Sequence, residues 1–439
     1  ISFEVDMIKT TATKVKNFVQ KAVSGTTSKH LLKTYFVYVF VALLMVATKV
    51  VIARFYGQEE LGVYSYFFAS GSFLFLWTSF EFGEALTQLI VKGKHDLKQS
   101  FWQSVKLGLL TTIVAIGILY LLNRQFELFA NYPFIFWSLI LFIVSYSAYY
   151  LLYSVLRGDK QFAKSSSYSL VWRTLFVIGI LFFALFGLPF WQVLIFLSVC
   201  ILIAAVSMLP SFLKLWNRVD GAVKSVVSSS ELWKLAFALF LVQVGFYSLR
   251  TIDIYVLEML LSFSEVGYYS AYASLTNVIR LLAYVFPVVV LPMAAVSNYK
   301  IRKSLSRLLM FVIPFAALVL VGTVIFVPLF YGPEYANGFW LSFALVMSAS
   351  ILLLYSYSSS IFAGENDVSS KYLWVLGIDF LLSIVGNAAL NYWLIGSYGI
   401  IGAPIATGIV VFVKLLFLLG AIKWFRVSAR KAKNSKIIT

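Results

Sequence analysis

Charge is scarce in this chain. Only 12% of its 439 residues are Asp, Glu, Lys or Arg, against the roughly 25% that covers a soluble globular domain. That deficit excludes a soluble enzyme and a disordered chain. Cysteine is nearly absent: Cys200 stands alone inside an apolar run, so neither an intramolecular disulfide nor a Cys-based metal site is available. The two histidines, His30 and His95, lie in short basic segments outside the apolar runs. There is no Gly-rich loop ending in Lys-Ser/Thr and no His-Glu-x-x-His, so neither ATP hydrolysis nor zinc-dependent hydrolysis is expected. Acidic residues are outnumbered, 18 against 35 Lys and Arg, for a formal net charge of +17.

What fills the chain instead is hydrocarbon. Apolar residues make up 61% of it and the mean hydropathy is +0.90, the composition of a polytopic membrane protein. About 20 predominantly apolar residues cross a bilayer as a helix, and backbone groups in lipid must be satisfied internally, which makes each such run helical. Twelve runs qualify: 33–54, 62–90, 101–122, 133–156, 167–187, 190–213, 232–257, 266–297, 304–330, 336–362, 372–394 and 400–422. Runs 2, 8, 9 and 10 exceed the minimum and are expected to tilt or bend. Pro287, Pro292 and Pro314 favour bends in runs 8 and 9.

Lys and Arg concentrate on one side, which orients the chain. Alternate connections and both termini together hold 28 of them, whereas the opposite side holds only Arg54 and Arg124. Both termini are therefore expected in the cytoplasm, and the span number is even. Charge dispersed along one membrane face argues against nucleic-acid binding. The first run is long enough to span and lacks a small-residue cleavage site, so no cleavable signal peptide is expected. Met7, followed by Ile8 and Lys9, reads as a start, with Ile1–Asp6 an upstream remnant. Ile8, Ala12, Val15, Val19 and Val23 recur at helical spacing among lysines, which fits a basic helix on the inner leaflet; a disordered basic tail fits equally.

The chain also repeats itself. Glu60-Leu61-Gly62-Val63-Tyr64-Ser65 matches Glu265-Val266-Gly267-Tyr268-Tyr269-Ser270 at an offset of 205, and Arg157-Gly158-Asp159 aligns with Ala363-Gly364-Glu365 at 206. The expected organisation is a basic N-terminal segment (1–30), a six-helix bundle (31–213), a cytoplasmic linker (214–231), a second six-helix bundle (232–424) and a basic tail (425–439). This is an all-α polytopic membrane protein of 12 transmembrane helices, its two bundles related by a pseudo-two-fold axis along the membrane normal. Parallel repeats of this kind belong to transporters, with the substrate site between the repeats. The outward loops, such as Phe55–Leu61, Asn123–Tyr132 and Tyr331–Tyr335, are too short to fold a catalytic unit.

Five basic residues fall inside the runs: Lys49, Arg173, Arg250, Arg280 and Lys414. Ionised groups in a bilayer cost at least about 2.5–3.5 kcal/mol each and so face a cavity or a partner. Arg280 is the best candidate, because Ser270, Ser274, Asn277 and Arg280 form one polar face at helical spacing. Ser65, Ser72 and Ser79 make a weaker stripe in run 2. Arg250 and Asp253 are three apart and within reach of each other, either as a structural ion pair or as part of a cavity. Lys49, Arg54 and Lys414 lie near run ends and could instead reach the membrane surface. The substrate-binding candidates are thus Arg280, Arg250, Arg173, Lys49, Arg54 and Asn277. Asp253, Glu81 and Asp379 are the ion-pair or coupling candidates. A cleft rich in arginine suits an anionic cargo with phosphate or carboxylate oxygens.

Four stretches resemble a known family. Ala53–Tyr64 (ARFYGQEELGVY), Phe80–Gly83 (FEFG), Leu329–Ala336 (LFYGPEYA) and Tyr398–Thr407 (YGIIGAPIAT) are similar to segments of Wzx-type polysaccharide transporters. These are flippases of the multidrug/oligosaccharidyl-lipid/polysaccharide exporter superfamily. The similarity runs from about residue 30 to 425 and implies a cavity lined by helices 1, 2, 7 and 8. It implies a transporter and not an enzyme, moving an undecaprenyl-diphosphate-linked oligosaccharide to the outer leaflet for O-antigen, capsule or exopolysaccharide synthesis. The implied location is the bacterial cytoplasmic membrane. The implied partners are that glycan, membrane lipid and a polysaccharide polymerase or other assembly proteins. No cofactor is expected; a proton or sodium gradient is the candidate driving force. The alternatives are a multidrug or organic-cation antiporter, with Asp253, Asp379 and Glu81 as its acids, and a membrane polymerase, which the short outward loops disfavour.

Overall fold

The computed structural model describes residues 26–92, 97–126, 132–159, 161–218, 228–296, 301–365 and 370–438. Residues 8–23, with their amphipathic pattern, and 219–227 of the expected linker lie outside them. The described residues contain no strand. Their helices are α1 (Thr26–Phe55), α2 (Gln58–Ser79), α3 (Phe82–Lys92), α4 (Leu97–Phe126), α5 (Pro133–Gly158), α6 (Phe162–Leu185) and α7 (Phe190–Arg218). Then follow α8 (Ser229–Leu260), α9 (Phe263–Val296), α10 (Ile301–Tyr331), α11 (Phe339–Glu365), α12 (Ser370–Leu381), α13 (Asn387–Tyr398) and α14 (Gly402–Ile438).

Among the described residues, eight stretches are long and apolar enough to cross a membrane. The last, Gly377–Trp424, has 48 residues, far more than one crossing needs. It is interrupted at Gly399, which has φ +60° and opens a 3-10 turn over Gly399–Ile401. Run 2 is not one helix: α2 stops where Phe80 and Glu81 take positive φ (43° and 56°), and α3 restarts at Phe82. Neither residue type favours that region, so hydropathy alone reads straight through the break. Between α12 and α13 the helix widens into a π segment, Leu382–Gly386. Conversely, α9 continues through Pro287 and Pro292 without interruption.

Contacts divide the chain into two compact units, Ile1–Thr48 with Thr78–Ala236, and Lys49–Trp77 with Phe237–Thr439. In the first, α7 packs on α5 and α6, and α3 on α5. Leu86, Leu97, Phe101, Val155, Phe212 and Leu215 form a core there. Helix α4 keeps large apolar side chains outward, Ile113 at 68% exposure, a surface that only hydrocarbon suits. In the second unit α11 is central, touching α9, α10 and α14. Ile279, Ala283, Val312, Val346, Ala349 and Leu353 fill the space among them. Helix-embedded hydroxyls turn onto their own carbonyls four residues back, as Ser248 does to Val244 and Thr323 to Val319, both 2.7 Å. Such bonds let a Ser-rich helix sit in lipid with its polar groups satisfied.

The sequence repeat is a physical contact inside the second unit. A Cβ on Gly62 would lie 1.8 Å from the Phe263 carbonyl oxygen, and a Cβ on Gly267 would lie 1.9 Å from that of Gln58. Adding 205 converts one contact into the other. Between them Ser65 Oγ and Ser270 Oγ meet at 2.6 Å, and Gln58 Nε2 donates to the Ser264 carbonyl at 3.0 Å. Only glycine permits two helix ends to approach this closely. Gly267→Val should therefore abolish the monodisperse peak of the detergent-solubilised protein in size-exclusion chromatography. Gly117→Ala, whose Cβ meets nothing within 4 Å, should leave that peak unchanged.

Candidate functional site

The polar face of α9 is the foundation of the site. Ser270, Ser274 and Arg280 are all buried, and Asn277 is half-buried between them. Ser274 shares a 2.6 Å hydrogen bond with the Tyr331 hydroxyl. Tyr268 donates to the Ala336 carbonyl at 2.8 Å, and Tyr272 donates to that of Tyr335 while accepting from the Gly338 N–H at 3.1 Å. The segment Tyr331–Gly338 thus anchors α9 and sets its rotation. Its packing leaves no room for a side chain at Gly338, where a Cβ would come within 2.0 Å of the Tyr272 ring.

That rotation turns Arg280 toward Asp253 of α8. Asp253 is 1% exposed and accepts from the Tyr269 hydroxyl and, at 3.0 Å, from the Ile254 N–H. Arg280 stabilises the same carboxylate by its charge and donates to the Tyr269 oxygen. Its Nε is a buried donor with no partner among the described residues. The side chains that hold Asp253 therefore lie on α9, although the sequence pointed to its own-helix neighbour Arg250. A buried acid, phenol and guanidinium partner one another here, which makes each tolerable in a low-dielectric interior.

Lys49 joins this set from α1. Its ammonium donates to Ser270 Oγ at 2.6 Å and to the Ser270 carbonyl at 3.4 Å, and it lies within the field of Arg250. The side chain thus points inward, away from the membrane surface. Arg54 does not join it. It is exposed, and its guanidinium donates to the Phe330 and Leu329 carbonyls at 2.7 and 2.5 Å, a cation closing the C-terminal end of α10. The second unit therefore gathers Lys49, Arg250, Arg280, Asn277 and Asp253 on three helices, α1, α8 and α9.

Asp379 belongs to a different cluster of the same unit. Lys414 bridges it at 3.1 Å, donates to Ser383 Oγ at 2.7 Å and lies 4.7 Å from the centre of the Tyr355 ring. The Tyr355 hydroxyl also donates to Asp379. Lys414 is 2% exposed, so the expectation that it reaches the membrane surface is corrected: a carboxylate on α12 holds it inside. Arg173 and Glu81 lie in the first unit. Arg173 donates to the Ser169 carbonyl at 3.1 Å and sits 3.9 Å from the Trp172 ring centre. Glu81, buried at the α2–α3 break, accepts from the Tyr150 hydroxyl at 3.0 Å, beside a 2.8 Å Arg157–Glu84 bridge. Among the described residues no group of three or more His, Cys, Asp or Glu side chains is placed to hold a metal.

Apolar helices enclosing a held set of cations define a multi-pass membrane protein. The chain belongs to the polysaccharide biosynthesis protein family, whose model matches residues 29–298. Comparison with curated protein sequences returned no match. Among solved structures, the lipid II flippase MurJ in an inward closed conformation aligns with a TM-score of 0.69 at 18% identity, covering 89% of this chain and 87% of that one. An inward-facing multidrug resistance MATE transporter of the MOP superfamily aligns at 0.64 and 14% identity, covering 89% and 96%. The Vibrio cholerae MATE transporter VcmN, as a mutant, aligns at 0.60 and 14%, covering 91% and 97%. Both the family match and the fold bear out the resemblance read from the four motifs.

Removing one partner of a buried ion pair strands the other, at a cost of about 3–5 kcal/mol. Lys414→Met should therefore lower the thermal midpoint of the purified protein sharply. The double variant Lys414→Met/Asp379→Asn, which buries no charge, should recover most of that loss. A double variant as unstable as the single one would show that the cluster is not governed by charge pairing.

Proposed function

We propose that the protein is a flippase. Its cargo is an undecaprenyl-diphosphate-linked oligosaccharide repeat unit, moved from the cytoplasmic to the outer leaflet for surface polysaccharide synthesis. Transport proceeds by alternating access in a frame of twelve spans, with both termini cytoplasmic, and involves no covalent chemistry. The observation that carries this reading is the imbalance around Arg280. Lys49, Arg250 and Arg280 share one region with Asp253, a buried carboxylate that Tyr269 already holds. The surplus of positive charge suits a diphosphate, and guanidinium groups match its oxygens in geometry as well as charge. The tail of such a cargo remains in lipid, so the protein needs to accommodate only the head group.

The test is genetic and chemical together. Arg280→Ala should abolish surface polysaccharide while the protein still reaches the membrane, and mass spectrometry should find lipid-linked intermediates accumulating inside. Arg250→Ala should impair transport strongly, whereas Arg250→Lys should retain part of it because the charge survives. Wild-type polysaccharide in the Arg280→Ala strain would refute the assignment. Energised efflux of organic cations from the same cells, with no lipid-linked intermediate accumulating, would instead identify a drug antiporter.

A further inference from the structure

The repeat seam and the cationic set share a residue. Ser270 Oγ bonds Ser65 across the seam, and the same oxygen accepts the Lys49 ammonium. Either serine can be the donor in that 2.6 Å bond; with Ser270 donating, an ammonium on its oxygen polarises its O–H and strengthens the bond. Beside it across the seam lie the Gln58 side-chain bond, the edge-on contact of Tyr66 with Phe263 and the close glycine approaches. Lys49 therefore reinforces the Ser–Ser bond where the two sequence repeats touch.

Lys49 also lies within the field of Arg250, and like charges repel. An anion bound at Arg250 and Arg280 reverses the sign of the local field. Its oxygens are also stronger acceptors for an ammonium than a neutral serine hydroxyl. The same group that holds the seam is thus the group the cargo competes for.

We propose that Lys49 is a cargo-released latch: a bound diphosphate draws its ammonium off Ser270, weakening the Ser65–Ser270 bond and freeing the seam to part. This rests on the flippase reading and adds to it the residue that links cargo binding to opening. Lys49 acts here as a positioning residue, through Ser270. A ligand shifts such an equilibrium only by its differential affinity for the two states, and Lys49 supplies that difference, since it bonds the anion only when it has left the seam.

The test uses the full chain in proteoliposomes with Gln58→Cys and Ser264→Cys as a seam reporter. These positions are joined by a side-chain bond, and the native Cys200 is buried. Oxidative cross-linking is read with and without inorganic pyrophosphate, and pyrophosphate binding is followed separately by the shift in thermal midpoint. The latch predicts efficient cross-linking in the empty reporter and a several-fold fall with pyrophosphate. Adding Lys49→Met should lower cross-linking from the start and remove the response, while Lys49→Arg should preserve part of it. If pyrophosphate raises the midpoint but leaves cross-linking unchanged, or lowers it equally in Lys49→Met, the latch is wrong and the anion site stands. If pyrophosphate produces no midpoint shift in the reporter, both the latch and the diphosphate reading fail.

Discussion

The rest of the structure depends on how charge is kept inside hydrocarbon. An ion taken out of water is tolerable only when other groups replace the water, and each embedded charge described here is engaged in a way its position dictates. Asp253 is held by a phenol, a guanidinium and a backbone N–H. Lys414 has a carboxylate, a hydroxyl and an aromatic face. Arg54 sits at the edge and takes the bare carbonyls of a helix end. Structural charges are recognised by this completeness. The Arg280 set differs in bringing three basic residues, Lys49, Arg250 and Arg280, together with a carboxylate that a phenol already holds.

Much of this was legible in the sequence. Helices were legible because hydropathy sums over some twenty residues, so errors at single positions cancel. Arg280, Arg250, Lys49 and Asp379 stood out because ionised groups are rare in apolar runs. Their partners did not stand out, since a partner depends on helix rotation and on which helices pack together. Lys49 and Arg54 show this well. Five residues apart on a helix, they differ by about 140° in direction, so one reaches the interior set and the other the end of α10.

Other features left no trace in composition. Tyr269 is one of 26 tyrosines, and most of those are equally consistent with a membrane-interface role. The α2–α3 break uses Phe80 and Glu81, which carry no signal for left-handed backbone. The π segment beside Asp379 is likewise silent, because a widened turn changes register without changing composition. The Leu329–Ala336 motif was visible as a family likeness, and its physical reason emerged only in three dimensions: with Gly338 it anchors the rotation of the helix bearing Arg280.

The seam has a consequence for how such a molecule can diversify. Contacts in which residue i meets j of the second repeat, while i of the second repeat meets j of the first, are those of an isologous dimer. Here Gly62 faces Phe263 and Gly267 faces Gln58, with Ser65 and Ser270 sharing the axis. Positions away from it are free to differ, and they have: the counterparts of Lys49, Arg250, Arg280 and Asp253 at the same offset are Ile254, Met45, Phe75 and Thr48. A symmetric seam thus lies beside a one-sided set of embedded charges.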